Sequence, residues 1–281
     1  MNRALGAALL VALLLPLAAA AQTAELIART ELRVCADPNN LPFSNRARAG
    51  FENRIVELVA KDLGLRVSYL WWAQRRGYVR NTLNDSACDV WPGMATGVDM
   101  AATSRPYYRS TYVFVTRIDA NLSDLTLDDP RLRTAQIGVQ MIGNDSMNTP
   151  PAHAIASRGL IDNVRGYMVY GDYSRANPPA AIIDAVARRQ IDVGLVWGPL
   201  AGYFAHLSRI PLRIDAVTPA TDARWPMSFA ISMGVRRNNR QLLEQINASL
   251  EREQSQIAAI LAAYHVPLDT TFAASAALVA P

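Results

Sequence analysis

The chain has 281 residues, of which 51% are hydrophobic and 19% are charged, and its formal net charge at pH 7 is +4. This balance argues against a disordered chain and fits a globular protein long enough for two lobes or one large domain. The basic residues are almost all arginine, with Lys61 as the only lysine. Because no basic stripe with interleaved aromatic residues is present, a nucleic-acid partner is not expected.

Residues 1–21 predict a secretory signal peptide. Arg3 supplies the positive start, an apolar run follows from Leu5 to Leu17, and Ala19–Ala21 form an A-x-A cleavage site. A retained amino-terminal anchor is the alternative. No later segment is apolar for long enough to cross a bilayer, so the mature chain is expected to be exported after cleavage near Ala21.

The first βα unit lies in Leu32–Gly64. A β-type run at Leu32–Ala36 leads into a loop rich in turn-forming residues, and a helix with one apolar face follows and ends at Gly64. In open α/β sheets the ligand crevice lies at the carboxyl ends of the strands. The loop is therefore expected to face a binding site.

The same pattern continues toward the middle of the chain. A strand is predicted at Leu65–Trp72, a short helix at Gly77–Leu83 and another strand at Cys88–Met94. A long strand rich in aromatic and β-branched residues is predicted at Tyr107–Val115. The first section thus reads βαβαβ, which implies parallel strands joined by right-handed crossovers.

A second α/β pattern begins after a polar linker at Asp119–Asp124. Its predicted strands and helices alternate in the order Ala135–Gln140, His153–Arg158, Tyr167–Tyr170, Ala180–Gln190 and Ile191–Trp197. A proline-rich passage precedes a strand at Ser228–Val235 and an amphipathic helix at Arg240–Tyr264. The pattern predicts two lobes joined by two strands, one leading out of the first lobe and one leading back to it. Such an arrangement can close around a ligand by hinge bending.

The predicted fold class is therefore α/β with two lobes, each a mainly parallel sheet flanked by helices, joined by a two-strand hinge. The predicted boundaries are 30–115 together with 227–270 for lobe 1, 118–215 for lobe 2, 216–226 for the return hinge and 271–281 for a flexible tail.

Cys35 and Cys88 are the only cysteines. In an exported chain an even pair predicts one disulfide, which would tie the first strand to the third, and two buried free thiols are the alternative. A catalytic cysteine is disfavoured because no histidine lies near either residue in sequence. The three histidines have no metal-ligand spacing, so no metal is expected.

Four short motifs occur in a characteristic order. They are Pro42-Phe43 after the first strand, Gly50-Phe51-Glu52 at the first helix, Cys88-Asp89 before the third strand and Ser104-Arg105-Pro106-Tyr107-Tyr108 before the hinge. In this order they resemble the periplasmic solute-binding proteins of the polar-amino-acid type (family 3), over nearly the whole mature chain. The resemblance implies the type II periplasmic binding protein fold and a periplasmic location.

Longer strings are more specific: CADPNNLPFSN, GFENRI, QRRGYVRNTL, ACDVWPGM and RPYYRSTYVFV. They resemble the accessory binding proteins encoded alongside pyrroloquinoline-quinone (PQQ) alcohol dehydrogenases, the methanol-dehydrogenase-associated periplasmic proteins. This resemblance implies a role in assembling, activating or assisting the quinoprotein and its cytochrome c. It does not imply that the chain holds the quinone or oxidises a substrate, so no cofactor is expected.

Three ligand contacts of the amino-acid binders are missing. Their Thr-x-x-Arg motif clamps the ligand α-carboxylate with a guanidinium, but the corresponding segment here is Thr96–Asp99. Their Gly-Thr-Ser/Thr loop corresponds to Ile142–Asp145, and the Asp that takes the α-ammonium is replaced by Trp197–Pro199. A free amino acid is therefore not expected as the ligand.

Residues near the strand ends and motifs are predicted to line a cleft for a small ligand or a partner segment. They are Asn40, Pro42, Phe43, Glu52, Trp71, Arg75, Trp91, Met94, Tyr107, Tyr108, Gln140, Asn144, Asp145 and Trp197. Trp71 and Trp91 are equally compatible with a core position, and Arg75 with a solvated surface. Glu52 could merely favour the helix dipole, and Asn144–Asp145 could merely cap a helix.

Three functions are compatible with these observations. The first is a non-enzymatic periplasmic accessory protein whose partners are a PQQ alcohol or methanol dehydrogenase and its cytochrome c. The second is the solute receptor of an ABC transporter for a small ligand that is apolar or not an amino acid. The third, an enzyme like the dehydratase relatives of these binders, is disfavoured because no acid/base or nucleophile–base pair is legible.

Overall fold

The computed structural model describes residues 29–142, 148–169 and 173–269. Strands and helices alternate along the chain and form two lobes connected by two long strands. The predicted signal peptide, the predicted tail and the site candidates Asn144 and Asp145 lie outside the described residues. Within them, no helix has the length and apolar character needed to cross a membrane.

The first lobe opens with the predicted βαβαβ unit. Its elements are β1 (Glu31–Ala36), β2 (Asn39–Asn40), β3 (Ser44–Asn45), α1 (Phe51–Asp62), β4 (Arg66–Trp71), α2 (Tyr78–Asn81), β5 (Val90–Ala95) and β6 (Ala102–Thr103). Strand β1 lies between β4 and β5 and is parallel to both. The loop after β1 therefore lies at the carboxyl edge of the sheet, as its position in the βα unit predicts.

The chain crosses to the second lobe and returns. The remaining elements are β7 (Tyr108–Arg117), β8 (Ile137–Met141), α3 (Pro150–Ser157), β9 (Val164–Met168), α4 (Ala181–Ala187), β10 (Val193–Trp197), α5 (Gly198–Leu207), β11 (Leu212–Ala216), β12 (Thr221–Asp222), β13 (Trp225–Pro226), β14 (Ser228–Val235), α6 (Arg240–Arg252) and α7 (Gln254–Ala263). Strands β8, β9 and β10 form the parallel part of the second lobe.

Strands β7 and β14 carry the sheet from one lobe to the other. Residues 108–111 of β7 pair with β14, whereas residues 112–117 pair with β10 and β11. The strand order is β4-β1-β5-β14-β7-β10-β8-β9, and the pairs made by β7 and β14 are antiparallel. The predicted two-lobed α/β fold with a two-strand hinge is confirmed.

Each lobe packs helices against its own part of the sheet. In the first lobe Phe51 and Ile55 of α1 join Ile246 of α6 and Leu261 of α7 in one apolar cluster. In the second lobe α3 contributes to a cluster with β8 and β10, and α4 and α5 contribute to another with β7. Helices on both sides of the second-lobe sheet explain why β8 and β10 are buried along almost their whole length, whereas β9 at the edge of the sheet is largely exposed.

Four elements differ from the sequence-based expectation. The predicted helix Arg240–Tyr264 is two helices separated at Glu253. The sequence predicts one helix because both present buried residues to the same cluster and so continue one apolar spacing. Helix α5 was not predicted because Gly198-Pro199 resembles a turn, yet proline in the first helical turn is favourable. Strand β11 was also not predicted, and β9 begins three residues earlier than expected, whereas its predicted end at Tyr170 lies outside the described residues.

The predicted disulfide joins Cys35 in β1 to Cys88, which lies just before β5, with the two Cα atoms 5.5 Å apart. The next residue, Asp89, is 1% exposed and pairs with Arg29, Arg33 and Arg236 at 2.7, 2.7 and 3.1 Å. Burial alone raises the pKa of Asp89, but hydrogen bonds from Arg33 and Arg236 outweigh it and hold this pKa at about 2. The disulfide and the ion pairs of Asp89 thus both hold the start of β5 in place.

Residues 264–269, here called the carboxyl-terminal strap, leave the first lobe and contact α5 and β7. The Ser110 hydroxyl donates to the Pro267 carbonyl at 2.5 Å, and the Asp269 amide donates to the Arg109 carbonyl at 3.0 Å. Tyr264 stacks on Tyr203 of α5 with ring centroids 5.6 Å apart. The strap is therefore a third link between the lobes, in addition to β7 and β14.

The substitution Gly202→Ala is expected to lower the free energy of unfolding by about 1–3 kcal/mol, the usual cost of overpacking. A Cβ at Gly202 would lie 1.9 Å from the His265 carbonyl oxygen, so the strap has to move. At an unhindered helix position, replacing glycine by alanine instead raises the stability by about 1 kcal/mol, so a loss of stability here would be due to the strap. Urea unfolding would measure it, and an unchanged or higher stability would show that the strap is not held against α5.

Candidate functional site

A cleft of about 370 Å³ lies between the lobes, where β7 and β14 pass from one lobe to the other. Six of the residues predicted from the sequence line it. They are Asn40, Phe43, Glu52 and Tyr108 from the first lobe and hinge, and Gln140 and Trp197 from the second lobe. The structure brings these side chains together, and their role in binding stays a prediction.

Six other candidates are not among the residues that line this cleft. The Pro42 carbonyl accepts from the Phe51 amide, and the Tyr107 hydroxyl donates to the Pro92 carbonyl at 2.7 Å. Met94 is 1% exposed.

The remaining candidates are aromatic or cationic and contact other rings. Trp71 stacks on Tyr69 with ring centroids 4.6 Å apart. Trp91 packs against Tyr78 at 5.1 Å, and the Arg75 guanidinium lies 5.0 Å from the centre of the Tyr173 ring. Each of these three side chains therefore contacts an aromatic ring of the same chain.

Several lining residues were not anticipated, notably Tyr112, Phe229 and Ile231 on the hinge strands. A strand presents alternate residues to one face, so Tyr108 and Tyr112 of β7 share a face, as do Phe229 and Ile231 of β14. The sequence carried this signal in its period-two spacing. It could be used only once both strands were known to pass beneath the cleft.

The second-lobe wall is positioned by Gln140 at the end of β8. Its side-chain oxygen accepts from the Trp197 amide at 2.8 Å, and its carbonyl accepts from the Thr149 hydroxyl at 2.6 Å. Thr149 is the N-cap of α3 and also accepts from the Ala152 amide. These bonds fix the start of α3 and the position of Trp197.

Three aromatic rings pack together on the hinge side of the cleft. The Tyr112 ring lies 5.2 Å from Trp197 and 6.4 Å from Phe229, and Trp197 lies 6.0 Å from Phe229, all edge to face. These separations are within the favourable range for aromatic pairs. Because the rings come from β7, β10 and β14, they join both lobes into one apolar wall.

Glu52 lies in the first turn of α1 and is 6% exposed. Burial and, as a smaller cause, the nearby charge of Asp37 together raise its pKa to about 8. The carboxyl has no hydrogen-bond or ion-pair partner among the described residues. At neutral pH Glu52 is therefore mainly a protonated acid in the wall of the cleft.

A set of contacts, here called the clasp, joins the two lobes at one side of the cleft. The Tyr173 hydroxyl donates to the Asp37 carboxylate, and the Asn39 side chain donates to the Arg175 carbonyl at 2.8 Å. Asp37 also accepts from the amides of Asn39 and Gln74. Burial raises the pKa of Tyr173, and its bond to Asp37 does so as well.

The substitution Tyr173→Phe is expected to lower stability by about 1–2 kcal/mol, because it removes a hydrogen bond to a buried carboxylate. Amide hydrogen exchange near Asp37 and Asn39 should also become faster, since the clasp holds the lobes together. Tyr203→Phe is the matched control, because the hydroxyl of Tyr203 makes no hydrogen bond within the described chain. Equal exchange in both variants would contradict a closing role for the clasp.

Two lobes, a hinge of two strands and a cleft between the lobes are the architecture of the periplasmic binding proteins. Within the described residues, no three His, Cys, Asp or Glu side chains are grouped as metal ligands. The described lining of the cleft combines apolar side chains with a few hydrogen-bonding groups.

Comparisons with known proteins agree with this class. No protein-family model matches the chain. It is 34% identical over 253 residues to the protein MoxJ of Methylorubrum extorquens, covering 84% of this chain and 81% of MoxJ. The chain therefore belongs to the MoxJ family of periplasmic binding proteins.

Two solved structures illustrate the same relationship. The periplasmic binding protein XoxJ of Methylobacterium extorquens is 36% identical, with a TM-score of 0.70 over 85% of this chain and 99% of XoxJ. An ancestral cationic amino-acid solute-binding protein shares the fold at 17% identity, with a TM-score of 0.65 over 84% of this chain and 96% of the other. The fold is thus that of the amino-acid binders, as the sequence motifs predict.

Proposed function

We propose that the chain is a periplasmic, non-enzymatic accessory protein that assists assembly, activation or electron transfer of a PQQ-dependent methanol or alcohol dehydrogenase system. The observation that carries the proposal is membership of the MoxJ family, together with the sequence strings that resemble dehydrogenase-associated binding proteins. The proposed partners are the dehydrogenase and its cytochrome c. The quinone belongs to the dehydrogenase, and this chain holds no cofactor.

The cleft supports a role other than amino-acid capture. An amino-acid receptor needs a cation for the ligand carboxylate, and arginine provides the best geometry. The described lining contains no arginine, lysine or histidine. In the sequence, Asp99 stands where the amino-acid binders have their clamping arginine.

The proposed location is the periplasm, reached by means of the signal peptide 1–21 with cleavage near Ala21. The proposed division is 30–115 with 227–270 for lobe 1, 118–215 for lobe 2 and 216–226 for the return. Edman sequencing of the exported protein would test the cleavage site. A retained leader would favour the anchored alternative.

A deletion strain tests the accessory role. Without this gene, dehydrogenase activity per mole of purified dehydrogenase should fall, and wild-type chain supplied on a plasmid should restore it. The tagged chain should also capture the dehydrogenase from periplasmic extract, whereas a tagged unrelated periplasmic binding protein should not. Normal dehydrogenase activity in the deletion strain and no association would contradict the proposal.

The second candidate is an ABC-transporter receptor, which the cleft between the two lobes favours. A small ligand at a hundred times its dissociation constant should add ~2.7 kcal/mol of stability, so a thermal-shift screen would detect it. In that case the deletion strain would lose uptake of the ligand but retain dehydrogenase activity.

A further inference from the structure

The carboxyl of Glu52 is an unused polar group in the cleft wall. Glu52 is 6% exposed and lines the cleft from the first turn of α1. It packs against Gly93 of β5 so closely that a Cβ there would lie 2.2 Å from the carboxyl oxygen Oε1. No residue of the described chain donates a hydrogen bond to it. Its oxygens are not fully closed off and open onto the cleft, so a ligand in the cleft can supply the missing partner.

The groups around Glu52 are acidic or neutral. Asp37, which follows β1, is 3% exposed and raises the pKa of Glu52 by its charge. Tyr78 of α2, Tyr107 just before β7 and Tyr108 at its start lie near enough for the charge of Glu52 to help raise the pKa of their hydroxyls. With no basic residue in the described lining, an anionic ligand would find no positive charge to balance it, whereas a cation could pair with Glu52 once that acid is ionised. The local electrostatics favour a cation.

The rest of the cleft offers aromatic rings. Phe43, Tyr108, Tyr112, Trp197 and Phe229 line it, and the last three form the packed wall described above. The face of an aromatic ring attracts a cation, most strongly for tryptophan. An aromatic lining with one unpaired carboxyl is the arrangement that binds ammonium groups, and the volume suits a small molecule.

We propose that the cleft binds a small organic cation, an amine or quaternary ammonium without a carboxylate, with Glu52 as its counter-ion. The inference does not depend on the accessory role and applies equally to a receptor. Because the pKa of Glu52 in the empty cleft is about 8, binding at neutral pH ionises the acid. About one proton then leaves Glu52 for the solvent, while the cation takes its place beside the carboxylate.

Isothermal titration of the purified mature protein with n-butylammonium, n-butanol and butanoate tests the charge preference. Only n-butylammonium is expected to bind. Its affinity should rise about tenfold from pH 6 to pH 7 and level off above pH 8, following ionisation of Glu52. In buffers of different ionisation enthalpy, the heat at pH 7 should report release of about one proton.

The variant Glu52→Gln keeps the size of the side chain and should lose at least about tenfold in n-butylammonium affinity, together with the pH dependence. Glu251→Gln is the matched control, because Glu251 is an exposed acid in a surface ion pair with Arg105. Thermal unfolding confirms that both variants are folded. Preference for n-butanol or butanoate, pH-independent affinity, unchanged binding by Glu52→Gln, or no binding of any probe at millimolar concentration would each overturn the proposal.

Discussion

Raising the pH from 4 to 9 is expected to shift the stability difference between the variant Glu52→Gln and the wild-type protein by about 4 kcal/mol in favour of the variant. The folded-state pKa of Glu52 is about 8, whereas its ordinary value is 4.5. The folded protein therefore binds this proton more tightly than the unfolded chain does. This contribution is fully present below pH 4.5 and is lost progressively as the pH rises through 8. Glutamine cannot ionise, so the variant lacks this loss.

Urea unfolding of both proteins at several pH values between 4 and 9 measures the difference. Titrating groups that do not interact with Glu52, such as Asp89, affect both proteins alike and cancel in the comparison. Glu251→Gln should follow the wild-type curve because its carboxyl is 73% exposed. If the difference between Glu52→Gln and wild type does not change with pH, the carboxyl is solvated in the folded protein.

Loss of the disulfide is expected to lower the free energy of unfolding by about 4 kcal/mol. Cys35 and Cys88 are 53 positions apart, and a cross-link closing a loop of this length restricts the unfolded chain by about that amount. Both residues are 0% exposed, so replacement by alanine avoids burying a new hydroxyl group. The oxidised wild type, the wild type in reducing agent and the double variant Cys35→Ala/Cys88→Ala form the comparison.

Urea midpoints and slopes of these three samples give the result. The reduced protein and the double variant should be destabilised to a similar extent, because both lack the cross-link. A change below about 1 kcal/mol would mean that the Asp89 ion pairs alone hold the start of β5.

Some of the fold follows directly from local sequence. The strand Ser228–Val235 was predicted with its observed bounds, because alternating and β-branched residues lie between clear turn signals. Helix α1 was predicted from its apolar spacing and its stop at Gly64, which has a φ of +69°. Helix α5 was not, because a proline near a helix start and a proline in a turn are locally alike.

The same distinction applies to the cleft. Motif order predicted the loop after β1, and Phe43 and Glu52 do line the cleft. Arg75 and Trp91 could not be placed by sequence, since a strand end does not reveal which neighbour a long side chain will meet. Their partners, Tyr173 and Tyr78, are decided by tertiary packing.

The sequence by itself determined the alternation of strands and helices, the single cysteine pair that could form a disulfide and the loss of the amino-acid clamp, because these depend on residue types and spacing. Only the tertiary structure decided that β7 and β14 bring Tyr112 and Phe229 beneath the cleft. It also decided that Glu52 is buried near Asp37 without a partner. Burial and electrostatics depend on distances between residues far apart in the chain, which no local pattern specifies.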